Sequence, residues 1–318
     1  LRLREMVEEI DNINEKKHNV LTELIDNDLN TFKKIYLKNK KVKTIIGIGE
    51  PLMHVFRYMD HESTDMIIDY ERFIKLFDRI RGKSVEEIEN ILGVSKNYAK
   101  MILPSVLIFQ RIFDLFNAKE IWMPGTLLID GIAAEYAKKT GIISVGHNFE
   151  EDIIAASKNL AKRYRGNSKH TGAVEKNALL IFDAIKEVSG LTERDRLLVQ
   201  IAAILHNIGK FINMKNSDTA TYNIISSGEI IGISHDERML MAEISNIDNE
   251  ENIYNKRDIR LAKLSAILQM ANALDRSHKQ KIKNFILKLD ENKLKLEVNY
   301  MGDLSLEILS FNSHRDFF

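Results

Sequence analysis

The chain has 318 residues, 44% of them hydrophobic, with 46 Lys and Arg against 46 Asp and Glu, and no Cys. That length suits two domains with a small appendage. The neutral charge argues against wholesale nucleic-acid binding, and the absence of Cys excludes disulfides, thiol catalysis and zinc–cysteine sites.

In chain order, residues 1–41 read as charged helix, ending in the basic tract KKIYLKNKKVK. TIIG (44–47) is a short buried-strand candidate, and GIGEP after it is a strand-to-helix turn. Ser84 with Glu87 three residues on forms a capping box, and another helix covers roughly 96–117. EIWM (120–123), with Trp122 expected in the core, is a second strand, and residues 127–139 are helical. This alternation reads as half of an α/β domain over residues 1–143. TGIISVGHN (140–148) is a linker.

Helices then follow at 150–165, 168–189, 192–213, 218–228, 235–247 and 256–276, making a helical domain over 144–280. Asn148 caps the first of these and Thr192, with Asp195, caps the third. FILKLDENKLKLEV (285–298) alternates apolar and polar residues around DEN, which marks a β-hairpin. DLSLEI (303–308) is expected as a third strand, giving a small subdomain over 281–318. The fold class is α+β, mostly α. No apolar run is long enough to span a bilayer and no signal peptide opens the chain, so a cytoplasmic protein without membrane partners is expected. The chain opens on Leu1, and a longer parent protein is expected.

Three features of the helical half belong together. His170 lies in KHTGAVEKNALLIFDAI, His206 and Asn207 in AAILHNIGKF, and Asp275 in LSAILQMANALDRSHKQKI. The order His, His-Asp, Asp on three packed helices resembles HD phosphohydrolases. There, imidazoles and carboxylates from facing helices hold a divalent metal that activates water. Here Asn207 replaces the bridging carboxylate, which weakens hard-cation binding. The following segment offers His235 as its only further histidine. The alternative is a packed helical domain in which His206 hydrogen-bonds a backbone carbonyl or Asp275. In that reading Gly209 and Lys210 simply end the helix, with Gly allowing the turn.

With AAILHNIGKF, LIFDAI, ANALDRSHKQKI and the terminal hairpin, the chain resembles the C-terminal portion of the exopolyphosphatase/guanosine pentaphosphate phosphatase (Ppx/GppA) family. IIGIGEP and the run from SVEEIENILGV to LLIDGIAAEYA resemble part of its second actin-like subdomain. The resemblance implies the end of an actin-like (ribonuclease H-like) α/β subdomain, then an HD-like helical domain and the hairpin subdomain. It implies release of phosphate from polyphosphate or guanosine pentaphosphate, assisted by Mg2+, in a homodimer. A glutamate base would lie upstream of this chain, so no catalytic residue is assigned within it. Gly47, Gly49, Asp130 and Gly131 would line the phosphate cleft. Lys162, Arg163, Arg165 and Lys169 would contact the anion. Departures from the family pattern are Gly49-Glu50-Pro51 for Gly-Gly-Thr, Asn97 and Ala99 for its Arg-x-Asp, Pro104-Ser105 for its Pro-Gly, and Ile129 for the Arg before Asp130.

Three functions follow as expectations: a part of such a phosphohydrolase, a non-catalytic phosphoanion-binding or dimerisation module, or a metal-dependent HD hydrolase acting through His170, His206, Asn207 and Asp275.

Overall fold

The computed structural model describes residues 14–38, 40–50, 53, 55–56, 66–144, 146–246, 259–290 and 293–318. The chain divides into two compact units, Leu1–Val145 and Gly146–Phe318. Among the described residues it is mostly helical, with two small sheets. Among the described residues no helix is long and apolar enough to cross a membrane.

The first unit opens with α1 (Asn14–Phe32), which a single π-helical turn, Lys33–Leu37, continues. Its sheet has the order β1-β3-β2, where β1 is Thr44–Ile46, β2 Ile67–Asp69 and β3 Glu120–Trp122. β1 runs parallel to β3, and β2 antiparallel, with Ile68 opposite Ile121. Sequence patterning missed β2 because three residues cannot show a period. Its last residue, Asp69, also caps α2 (Tyr70–Ile80) by accepting the Arg72 amide at 2.8 Å.

α3 (Val85–Leu92) starts on the expected capping box. Glu87 N donates to Ser84 Oγ at 3.2 Å, and Ser84 N donates to Glu87 Oε2 at 2.8 Å. α4 (Lys96–Phe116) carries Pro104 inside it, and α5 is Leu128–Lys139. Phe73, Ile80, Ile102, Phe113 and Ile121 fill the core. Alternation along β3 buries Ile121 and turns its neighbour outward, so Trp122 is 42% exposed and is not a core residue.

The second unit contains α6 (Phe149–Arg163), α7 (Ser168–Ser189), α8 (Glu193–Leu205), a 3-10 turn at Ile208–Phe211, α9 (Ser217–Ser227), α10 (His235–Ile244) and α11 (Ile259–Ala273). α8 and α11 are apolar on nearly every face, as central helices must be. They bury Leu198, Ile201, Leu205, Leu264, Ile267 and Leu268 against Val174 and Phe182 of α7. Each such side chain contributes roughly 1.5–3 kcal/mol. Asn148 and Thr192 cap α6 and α8 as expected.

The hairpin forms from β4 (Ile282–Asp290) and β5 (Lys293–Tyr300), with Leu287 opposite Leu296. Its central turn residues fall outside the described ones. Phe285, Leu287 and Leu296 pack against the helical core.

DLSLEI is not a third strand. It begins α12 (Ser305–His314). The Asp303 carboxylate accepts both the amide (3.1 Å) and the hydroxyl (2.6 Å) of Ser305, which turns the chain into the helix. Leu304 and Glu307, three residues apart, then face inward together.

Candidate functional site

α7, α8 and the turn after α11 bring His170, His206, Asn207 and Asp275 into one cluster. His170 is the third residue of α7, whose start Asn167 fixes by accepting the His170 amide at 3.3 Å. His206 is the C-cap of α8, and Asn207 follows in the turn to the 3-10 segment. Asp275 sits just past α11. His170, His206 and Asp275 are at most 2% exposed.

His170 Nδ1 donates to Asp275 Oδ2 at 2.9 Å. Gln280 supports the same carboxylate, its backbone amide donating to Oδ1 at 2.7 Å and its side chain to Oδ2 at 3.0 Å. Burial alone would raise the Asp275 pKa, but the hydrogen bonds from His170 and Gln280 outweigh it and hold the carboxyl below its ordinary value. His206 Nδ1 donates to Ala203 O at 2.7 Å, so its Nε2 is left as an acceptor. That Nε2 accepts from the Asn207 amide at 2.7 Å and faces His170 Nε2 at 3.2 Å. Burial first, then the neighbouring His170, pushes His206 down to about 3.

Sequence reasoning missed two members of the cluster. The His278 ring stacks on His170, with centroids 3.6 Å apart and an interplanar angle of 12°. Its pKa is pushed down to about 4 by burial, then by His170 and Lys210. His278 and Gln280 both adopt left-handed backbone, at φ 57° and 49°. That costs on the order of 1 kcal/mol each and ties the turn to the cluster it serves. The signal was the SHKQ that follows Asp275, a polar run after an apolar helix, which carries no periodic pattern.

Gly209 corrects a second expectation. It does not take the left-handed conformation of a helix-ending glycine. A Cβ there would lie 2.0 Å from Ser217 O and 2.4 Å from Thr221 N, so the residue is glycine because α9 packs directly on its backbone. The buried Thr221 hydroxyl accepts the Gly209 amide at 2.9 Å and donates to Ser217 O at 2.8 Å.

Among the described residues no group of three or more His, Asp or Glu could hold a metal.

The other expected site residues fall into two sets. In the first unit Gly47 and Gly49 follow β1, and Asp130 and Gly131 lie in the first turn of α5. β1 and β3 are parallel neighbours, so both segments leave the C-terminal edge of one strand pair, where α/β sheets bind ligands. Within that frame Gly47 N donates to Trp122 O at 2.8 Å, and Asp130 accepts the Leu127 amide at 2.8 Å as a helix cap. Glu50 accepts from the Tyr98 hydroxyl at 2.7 Å, while Pro51 lies outside the described residues. In the second unit Lys162, Arg163, Arg165 and Lys169 are all exposed, and Arg165 lies over the Phe211 ring, 5.9 Å from its centroid.

Residues 1–140 match the family described as "Ppx/GppA phosphatase family", and residues 154–310 match "Ppx/GppA phosphatase, domain III". The chain belongs to the Ppx/GppA phosphatase family. A curated relative, the guanosine-5'-triphosphate,3'-diphosphate pyrophosphatase of Photobacterium profundum, is 23% identical over 204 residues. That match covers 64% of this chain and 39% of the relative, so the chain spans about two fifths of the relative's length.

Proposed function

We propose that the chain is part of a phosphohydrolase that releases phosphate from inorganic polyphosphate or guanosine pentaphosphate. The observation that carries this reading is the ordered pair of family matches, 1–140 and then 154–310. The name of the curated relative adds support for a guanosine polyphosphate. In this reading the first unit is part of an actin-like α/β subdomain and the second an HD-like helical domain. The glutamate base is assigned to no residue here.

Magnesium would neutralise charge on the phosphoryl oxygens. In this reading this chain's share of the work is to bind and orient substrate. Gly47, Gly49, Asp130 and Gly131 would shape the phosphate end of the cleft. Lys162, Arg163, Arg165 and Lys169 would attract the polyanion, as basic grooves follow phosphate backbones. The protein would act as a homodimer in the cytoplasm.

The test is phosphate release, with magnesium, by the complete gene product from long-chain polyphosphate and from guanosine pentaphosphate. Release from one identifies the substrate, and release from neither refutes the reading. A second reading, a non-catalytic phosphoanion-binding or dimerisation module, draws on the mutual hydrogen bonding of His170, His206, Asn207 and Asp275. It predicts anion binding without turnover.

A further inference from the structure

A cavity of about 460 Å³ lies between the hairpin and the helices of the second unit. Its roof is the inner face of β4 and β5, where Leu287 stands opposite Leu296 and Leu289 opposite Leu294. Residues two apart on a strand share a face, so these four leucines form one apolar surface. Its floor is Ile181 of α7, Met270 of α11 and Leu274 just past α11, all buried. Phe311 and Arg315, one helical turn apart at the end of α12, form one side. Leu289 and Phe318, each 39% exposed, mark the mouth.

Protein interiors are packed to the density of organic crystals, and an aliphatic cavity of about 150 Å³ already takes up benzene. This one is about three times larger and falls in the size range of small-molecule sites, which are mostly apolar with a few placed polar groups. Among the described residues Arg315 carries the only charge on the lining, and no hydroxyl, amide or carboxylate side chain joins it there. A sugar or a nucleobase in this space would lose its hydrogen bonds to water without replacement. An alkyl chain loses nothing. The Arg315 Nε lies 3.3 Å from the carboxylate of its chain neighbour Asp316, and both side chains are more than half exposed, so the pair is weak in water and is readily exchanged. The guanidinium fork matches the geometry of a second carboxylate. The lining thus asks for an aliphatic body with one anionic end.

We propose that this cavity binds a straight-chain aliphatic carboxylate, a free fatty acid, with its alkyl chain between the hairpin and the helices and its carboxylate on Arg315. Burial of the chain supplies the affinity, and Arg315 sets which end faces the solvent. None of the residues assigned above to phosphate binding lines this cavity, and binding is read directly, so the result is independent of phosphate release.

The test is isothermal titration calorimetry of the full-length protein with hexanoate, octanoate and decanoate, below micelle formation, and with 1-octanol. One-site binding should tighten about fourfold for each added CH2. Octanoate should bind about fivefold or more tighter than 1-octanol, the effect of one charge-assisted contact. Arg315→Gln should remove that difference and leave 1-octanol within about twofold of the wild type. Leu289→Glu, which sets a like charge at the mouth, should weaken decanoate about tenfold. Both substitutions alter exposed side chains, and far-UV circular dichroism checks that the variants fold. Absence of decanoate binding up to about 1 mM, affinity independent of chain length, equal affinity for octanoate and 1-octanol, or carboxylate affinity kept within about twofold in either folded variant overturns the proposal.

Discussion

Replacing His206 with Gln should flatten the acid limb of the second unit's stability. His206 is 2% exposed and its folded pKa is about 3, against an ordinary 6.5. An unfolded chain therefore takes up this proton near pH 6.5, whereas the folded chain refuses it until about pH 3. The unfolded state binds more protons across that window, so stability is full above it and falls as pH drops through it. Each pH unit costs about 1.4 kcal/mol, so going from pH 6.5 to 5 should remove about 2 kcal/mol through this residue. His278 acts in the same direction more weakly, being less buried. Urea denaturation followed by far-UV circular dichroism at several pH values reads the effect. Trp122, the single tryptophan, lies in the first unit, so its fluorescence follows the unit without this histidine. Equal pH slopes for the wild type and His206→Gln between pH 6.5 and 5 would refute the reasoning.

Gly209→Ala should cost about 3 kcal/mol, because its Cβ would collide with Ser217 O and Thr221 N, which are backbone atoms of α9; the urea midpoint of the second unit reports it, and a neutral result would show that α9 can shift. Asp275→Asn leaves the His170 hydrogen without a charged acceptor and should cost about 3 kcal/mol, checked by the same denaturation. Elemental analysis after dialysis should find no stoichiometric divalent metal in the purified chain, and one bound equivalent would overturn the account of the histidine cluster.

The helical half was legible because its signals are local or periodic. Thr192 with Asp195 and Asn148 with Glu151 mark helix starts within four residues, and α8 and α11 are long enough to show their apolar faces. The cluster of His170, His206 and Asp275 could be assembled from the order of those helices. Its geometry could not, because which nitrogen of His206 carries hydrogen depends on Ala203 O, and the stacking of His278 depends on two left-handed residues. DLSLEI was misread because alternation over six residues also fits a helix start once Asp303 caps Ser305. β2 has three residues, too few for any period, and is fixed by its pairing with β3. Gly209 shows the same limit: a glycine beside a helix end suggests a turn, and only the position of α9 reveals close approach.

Glu307 gives the cluster a place in the order of assembly. This buried carboxylate of α12 accepts the Ser277 amide at 2.9 Å and pairs with Lys281 at 3.0 Å, bracketing the turn that carries Asp275, His278 and Gln280. Ser277 and Glu307 are 30 residues apart. During synthesis α7 and α8 can pack as soon as both have emerged, bringing His170 and His206 together. The turn that completes them waits for nearly the whole second unit, since its outer support arrives with α12. The histidine pair is therefore among the earlier contacts of this unit to be possible, and its closure by Asp275 among the last, a late step imposed by chain order and loop-closure entropy.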